Sequence, residues 1–317
     1  MRPALVVVGS LNMDFVVSVD RLPAPGETAL GRDFRTIPGG KGANQACAAA
    51  RLGAARVDVR MIGRVGYDVF ADHLKASLSA AGVDASAVYA TRSEATGVAL
   101  IWVDRAGQNS IVVASGANHA LAAGDVEAMR RVFRGASHAL FQLETPLDTV
   151  AAALALAREE GLATVLDPAP ARRLDPALLE RVDILTPNES EALLLLGRPA
   201  ARVTLAEAPG LARDLLGMGA RAVVLKLGNQ GCFFADGRER IHAPAFAVEA
   251  RDATAAGDTF NGALAVALAE GRGMPAALRF ACAAAALSVT RPGAQSSIPT
   301  RAETESFLAD RPAAAGV

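Results

Sequence analysis

Short apolar runs alternate with helical patterns along most of the chain. Residues 5–8, 57–62, 139–143, 164–166, 184–185 and 222–227 read as buried strands, because each is short and largely apolar. Between them, residues 147–160 and 206–217 carry apolar side chains at helical spacing. Strand then helix, repeated, predicts an α/β fold with a doubly wound, mostly parallel sheet flanked by helices. Ligands of such folds bind beyond the carboxyl ends of the strands.

Two stretches break this rhythm. Residues 15–19 carry an alternating apolar pattern, and residues 28–37 follow a turn at Pro25 and Gly26. Residues 96–103 and 110–114 predict a hairpin closed by residues 104–109. All four pieces flank predicted strand ends, so they are expected to form a small β-sheet lid over the ligand cleft. The organisation expected is a single domain of residues 1–317, with lid segments inserted at about 13–38 and 96–115. Such a lid would exclude water from a reaction beneath it. The tail from Ala309 to Val317 is expected to fray.

Composition narrows the choice of partner. The chain has 317 residues, with 32 Lys plus Arg against 33 Asp plus Glu and a net charge of -1, so no basic field points to nucleic acid or an anionic membrane. A small molecule is the expected partner. Cys47, Cys232 and Cys282 are odd in number and far apart, which argues against a disulfide framework or a thiolate metal site and fits a reducing compartment. His73, His119, His138 and His242 lack the spacing of a zinc hydrolase. The apolar run at residues 4–8 is too short for a signal-peptide core, and no stretch reaches membrane-spanning length, so a cytoplasmic location is expected.

Two glycine-rich segments carry chemistry. In the first, Asp252-Ala-Thr254-Ala-Ala256-Gly257-Asp258, small residues lead into a helix that places Phe260, Leu264 and Leu268 on one face. Backbone N–H groups at such a helix mouth suit an anion, and Asp258 there can accept the proton of an attacking hydroxyl. Taken alone, Asp258 also reads as a plain first-turn carboxylate. In the second, Gly39-Gly40-Lys41-Gly42-Ala43-Asn44-Gln45-Ala46, paired glycines permit close backbone approach while Lys41 and Asn44 offer donors to sugar hydroxyls. Neither segment is a P-loop, since Lys41 is followed by Gly42 rather than Ser or Thr.

These two segments resemble the two signatures of the PfkB carbohydrate-kinase superfamily. Further matching pieces include Gly63-Arg-Val-Gly66, Ser115-Gly-Ala-Asn118, Leu143-Glu144, Asp167-Pro-Ala-Pro170, Thr186-Pro-Asn188-Glu189 and Thr290-Arg291-Pro-Gly293, so the resemblance runs from Gly9 to about Pro299. The opening Gly9-Ser-Leu-Asn12-Met-Asp14 is similar to the ribokinase branch. The resemblance implies an ATP-dependent kinase transferring the γ-phosphate to the 5-hydroxyl of D-ribose, with Asp258 as general base and Ala256 and Gly257 forming a backbone anion hole. It implies that Asn12, Asp14, Gly40, Lys41, Asn44 and Glu144 hold the sugar. Carboxylates suit vicinal hydroxyls because each oxygen accepts a charge-assisted bond.

By the same resemblance, Asn188, Lys226, Gly228, Asn229, Gly231 and Cys282 belong to the ATP pocket. Glu191 and Asn188 would position Mg2+, directly or through water. Asp252 and Ser297 would offer side-chain oxygens to a monovalent cation, K+, with carbonyls from Thr254, Ser288, Arg291 and Gly293. Family likeness also implies a homodimer through the lid, whose apolar face would carry some of Phe15, Val17, Leu100 and Trp102. Two residues depart from the pattern: Lys226 stands where many ribokinases have Thr, and Cys282 where His is expected near the nucleotide base. Other readings are a PfkB kinase for deoxyribose, fructose, a keto-deoxy sugar acid or a nucleoside, and a non-catalytic sugar or nucleotide sensor. A dehydrogenase is disfavoured, because residues 9–12 lack the pyrophosphate glycines.

Overall fold

The structure, a computed structural model, describes residues 2–105 and 108–311. Thirteen strands are arranged in two sheets: β1 (Ala4–Val8), β2 (Asn12–Ser18), β3 (Arg32–Gly39), β4 (Asp58–Gly66), β5 (Val83–Thr91), β6 (Gly97–Val103), β7 (Asn109–Ala114), β8 (His138–Phe141), β9 (Ala163–Leu166), β10 (Ile184–Leu185), β11 (Ala222–Lys226), β12 (Cys232–Ala235) and β13 (Arg240–Ala243). The main sheet runs β13-β12-β11-β10-β9-β8-β1-β4-β5. Its pairs from β11 to β5 are all parallel, and the two edge pairs at β12 and β13 are antiparallel.

The central strand shows why its sequence is a continuous apolar run. Leu5 and Val7 point into one core and Val6 and Val8 into the other, so every residue of β1 is buried. β1 is also where strand order reverses, with β4 on one side and β8 on the other, and Val8 lies level with Ile62 and Phe141. The crevice beyond Val8 is therefore the topological switch point of the sheet.

Helices Lys41–Gly53 and Ala256–Ala269 cross over the first core at backbone distance. A side chain at Gly262 would lie 2.7 Å from Ala48 Cβ and 2.8 Å from the carbonyl oxygen of Gln45, so this crossing requires glycine. Small residues at the crossing are what bring the two glycine-rich segments together, since the first turns of both helices then face the same crevice.

The second sheet runs β3-β2-β6-β7, as expected for the lid. Phe15 anchors it by stacking on Phe34 at 5.9 Å and meeting Phe70 edge-on at 5.4 Å. Of the four apolar lid residues named above, Leu100 is exposed while Phe15, Val17 and Trp102 are half-buried. On β7, Val112 is exposed on the face of Leu100, and Ile111 and Val113 are exposed on the opposite face, the one that carries Asp14.

Three strands escaped the apolar pattern. β5 mixes buried and exposed positions, and β12 and β13 form an antiparallel edge that strand-helix alternation does not announce. The segment at residues 227–231 is a turn between antiparallel β11 and β12, containing the 3-10 turn Gly228–Gln230. The helix expected at 206–217 begins two residues later, as Ala208–Leu216. The tail read as frayed falls mostly outside the described residues, which end at Arg311, as do residues 106 and 107 of the predicted hairpin turn. Among the described residues no helix is long and apolar enough to cross a membrane.

Candidate active site

The switch point is lined from three directions. Beyond β1, Ser10 Oγ donates to Glu144 Oε2 at 2.5 Å, and Glu144 Oε2 also accepts the Lys41 N–H at 3.0 Å. The carboxylate of Glu144, which follows β8, thus caps the first turn of the helix from Lys41. Gly40 enters that turn with φ of 90°, and a side chain there would collide with the Asn12 backbone nitrogen at 2.7 Å. The glycine pair therefore lets the helix start directly against the first residues of the lid strand.

β2 leaves the crevice carrying Asn12 and Asp14 on one face. Asn118 braces this start: its Oδ1 accepts from Leu11 N at 2.8 Å, and its Nδ2 donates to Asn12 Oδ1 at 2.8 Å. Asn44 Nδ2 donates to Asp258 Oδ2 at 3.0 Å. Asn44 Oδ1 is buried with no hydrogen-bond partner among the described residues. The expected sugar residues Asn12, Asp14, Gly40, Lys41, Asn44 and Glu144 are thus gathered around one crevice with Asp258.

Asp258 lies in the first turn of helix Ala256–Ala269, entered through Ala255 in the left-handed conformation at φ 58°. In that turn the Ala256 N–H donates to Ala253 O at 3.2 Å, while the N–H groups of Gly257 and Asp258 have no backbone acceptor among the described residues and leave partial positive charge at the helix mouth. Burial raises the Asp258 carboxyl to about 6 despite the opposing charge of Lys41 and the bonds from Asn44 and Gln45. Asp14 is pushed up to about 7 by burial, with Glu144 and Asp258 adding repulsion. Burial works against the ammonium of Lys41, but Asp258, Asp167, Glu144 and Glu191 outweigh it and shift its pKa upward. Lys41 therefore stays charged.

Next to Asp258 a cavity of about 490 Å3 is lined by Asp167, Asn188, Glu191, Lys226, Gly228 and Gly257, among others. Lys226 Nζ pairs with Asp167 Oδ1 at 2.9 Å and lies 3.5 Å from where a side chain on Gly257 would begin. Its ammonium stands at the helix mouth. Asn188 caps helix Glu189–Leu195: its Oδ1 accepts from Glu191 N at 2.8 Å, while Glu191 Oε2 accepts from Asn188 N at 2.7 Å. Burial raises the Glu191 carboxyl, against the pull of Lys226. Cys282 is not brought to this lining; helix Met274–Ser288 turns it into the core, with its Sγ 3.7 Å from that of Cys232. Asn229 and Gly231 sit in the β11–β12 turn.

The expected cation loop lies behind the helix mouth. Asp252 accepts from Thr254 N at 2.9 Å and from Gly293 N at 2.7 Å, tying together two loops far apart in sequence. These bonds outweigh burial and hold its carboxyl below the usual range. Ser297 and Ser288 are buried, their hydroxyls donating to Ala294 O and Ala285 O at 2.8 Å.

Gln45, Asp167, Gln142 and Asn118 escaped the sequence reading as site residues. Each lay inside or beside a quoted segment, but their role rests on contacts of 59 or more residues in separation, such as Asp167 with Lys226 and Gln45 with Gln142. Nothing local in the sequence signals such contacts.

A doubly wound sheet, a lid over its switch point and a helix mouth holding a buried carboxylate together define an α/β phosphotransferase of the small-molecule kinase class. The chain belongs to the pfkB family of carbohydrate kinases, whose profile matches residues 2–301. It is 44% identical over 310 residues to a ribokinase of Haemophilus influenzae, covering 97% of this chain and 99% of that protein. Among solved structures, a Thermotoga maritima ribokinase superposes with a TM-score of 0.87 at 37% identity, covering 97% of this chain and 99% of the other. An Arabidopsis thaliana ribokinase complexed with ribose and ATP superposes with a TM-score of 0.87 at 34% identity, with the same coverage of 97% and 99%.

The raised carboxyl of Asp14 predicts a pH-dependent gain from its removal. Between its unfolded value of 3.8 and its folded value of about 7, the folded state holds the proton more tightly, so this group's stabilising contribution is full below that window and lost as pH rises through it. Asp14→Asn should therefore raise Tm by at least about 2 °C more at pH 8 than at pH 4, measured by calorimetry. An equal shift at both pH values would show that burial does not penalise the charge of Asp14.

Proposed function

We propose that this protein transfers the γ-phosphate of ATP to the 5-hydroxyl of D-ribose, with Asp258 as general base. The observation that carries the reading is the convergence of the two signatures, in which Asn44 of one holds the carboxylate of Asp258 in the other at 3.0 Å. The pfkB family membership, the ribokinase from Haemophilus influenzae and the ribose-bound and ATP-bound Arabidopsis neighbour support it.

In this reading the sugar lies in the switch-point crevice. Asp14 and Glu144 accept from its hydroxyls, Lys41 donates, and the unpartnered Asn44 Oδ1 takes a further hydroxyl proton. The 5-hydroxyl faces Asp258, which removes its proton as the oxygen attacks. The phosphoryl group is received by the backbone N–H groups of Ala256 and Gly257, with the ammonium of Lys226 beside them. The nucleotide continues past Asn188 and the turn holding Gly228, Asn229 and Gly231, with Cys282 behind the pocket wall. Lys226 acts on the phosphates and leaves the base to other groups, so the Thr-to-Lys departure bears on charge and not on base choice.

The donor set fits a magnesium ion that keeps most of its water. Among the described residues no group of three or more His, Cys, Asp or Glu could hold a metal, and Glu191 and Asn188 already bond each other. A hydrated ion carried by the phosphates and touched by Glu191 or Asn188 through water meets that description. Bound there, it would neutralise charge on the β- and γ-phosphates. Asp258→Asn should lower kcat about 100- to 10,000-fold while leaving the ribose Kd nearly unchanged. The parent's kcat should rise as pH passes upward through about 6, where Asp258 loses its proton. Turnover of Asp258→Asn within a few-fold of the parent, in a coupled ATP assay with ribose, would remove Asp258 from the chemistry.

In the same reading a potassium ion would sit behind the anion hole, taking side-chain oxygens from Asp252 and Ser297 and carbonyls from Thr254, Ser288, Arg291 and Gly293. Its role is to order the loop that leads to Ala256 and Gly257. Turnover should be higher in potassium than in sodium at equal ionic strength, and Asp252→Ala should erase that difference before it weakens sugar binding. Equal rates in both salts would dismiss the site.

The exposed Leu100 and Val112, paired side by side on the lid face that carries Phe15, Val17 and Trp102, support a homodimer formed by apposed lids. Light scattering should give twice the chain mass at micromolar concentration, and the pair Leu100→Lys with Val112→Lys should return a monomer. A parent protein that stays monomeric would refute this assembly.

A further inference from the structure

Asp258 accepts one bond on each oxygen, from Asn44 Nδ2 at 3.0 Å on Oδ2 and from Gln45 Nε2 at 3.0 Å on Oδ1. The two donors are consecutive residues in the first turn of helix Lys41–Gly53. Gln45 Nε2 spends its other proton on Asp167 Oδ2 at 2.9 Å, and Gln45 Oε1 accepts from Gln142 Nε2 at 2.7 Å. Asp167 is fixed in turn by Lys226 through its remaining oxygen at 2.9 Å. Gln45 is 1% exposed and Gln142 is fully buried.

This arrangement permits one orientation of the Gln45 amide. Turned over, the amide would place its oxygen against two carboxylates and its NH2 against the NH2 of Gln142, leaving buried donors and acceptors opposed. We propose that Gln45 is the positioning residue of the reaction, holding the carboxylate of Asp258 at a fixed angle to the attacking hydroxyl and joining it to the Asp167–Lys226 pair beside the phosphates. The inference rests on the reading of Asp258 as general base. Gln45 does not itself line the nucleotide cavity and reaches it only through Asp167 and Asp258, which do, so its removal should be felt in the chemical step more than in binding.

The bond from Gln45 also favours the ionised form of Asp258. The other charged groups around Asp258 are Asp14 on β2, Lys41 in the same helix turn as Gln45, Asp167 after β9 and Lys226 on β11, with Glu144 and Glu191 acting through Lys41. Of these only Asp167 is bonded to Gln45, and Lys226 still holds its other oxygen when Gln45 is replaced by an apolar side chain of similar length. The acid limb of the kcat profile should then move to higher pH.

The test is steady-state kinetics of Gln45→Met with ribose and MgATP across pH 5 to pH 9, with Tm measured alongside. The expected result is a kcat about 10- to 100-fold below the parent, KM for both substrates within about threefold, and an acid limb displaced upward by about half a pH unit or more. Gln45→Glu should displace the limb further, because it adds a third carboxylate beside Asp258 and Asp167. If Gln45→Met does not fold, Gln142→Met decides: it leaves Gln45 in place but frees its amide, and should lower kcat about 3- to 10-fold with KM kept. A folded Gln45→Met with kcat within about twofold of the parent, or one whose loss is confined to KM, would overturn the assignment. Asp258→Asn, run beside it, separates the two ideas. An active Asp258→Asn means the general-base reading has failed, whereas an inactive Asp258→Asn with a fully active Gln45→Met means only the positioning role has failed.

Discussion

Burying an ionised carboxylate costs several kcal/mol unless its charge is met by donors or an opposite charge. Asp258 is 6% exposed, and its surroundings answer that cost with two amides and one ammonium: Asn44, Gln45 and Lys41. All three come from the first turn of one helix. That turn reaches Asp258 only because Gly262 lets the two helices cross at backbone distance, and it starts where it does only because Gly40 can follow the lid strand at positive φ. Gly40 and Gly262 thus decide which side chains meet the charge of Asp258.

The same turn joins the lid to the core. Asn12 and Asp14 belong to the first lid strand, while Lys41 and Asn44 follow the second, so β2 and β3 lead directly into the crevice at one end. Asn118, at the end of the β6–β7 hairpin, bonds both Leu11 and Asn12 and closes the frame. A lid built this way cannot be displaced at its base without moving side chains that face the sugar crevice. Water exclusion and ligand contact are therefore coupled through the covalent path of the chain.

Much of this was legible in the sequence, for reasons that differ between layers. Buried parallel strands such as Ala4–Val8 announce themselves because both faces are covered, and the lid strands announce themselves by breaking the rhythm. β5 and the β12–β13 edge did not, since a half-exposed strand and a short antiparallel edge lack a continuous apolar run. In the site, residues inside glycine-rich segments were visible through local chemistry. Gln45 and Asp167 were passed over, because an amide between two carboxylates is a product of tertiary contact, and sequence spacing has no signal for it. Cys282, assigned to the nucleotide pocket by the family resemblance, is buried with its Sγ 3.7 Å from that of Cys232.

The charge balance of the crevice sets what can enter it. Asp14, Glu144, Asp167, Glu191 and Asp258 stand against Lys41 and Lys226, an excess of carboxylates before any ligand arrives. A neutral sugar meets no penalty there, and its hydroxyls find acceptors. A nucleotide triphosphate adds further negative charge to an already acidic wall, which two ammonium groups cannot neutralise. The helix mouth at Ala256 and Gly257 supplies partial positive charge without a counter-ion, and a divalent ion travelling with the phosphates supplies the remainder. An acidic cleft of this composition therefore favours a neutral acceptor over an anionic one. On the proposed placement of the nucleotide, a divalent ion would serve binding as much as chemistry, by screening the phosphates from Glu191 and Asp167.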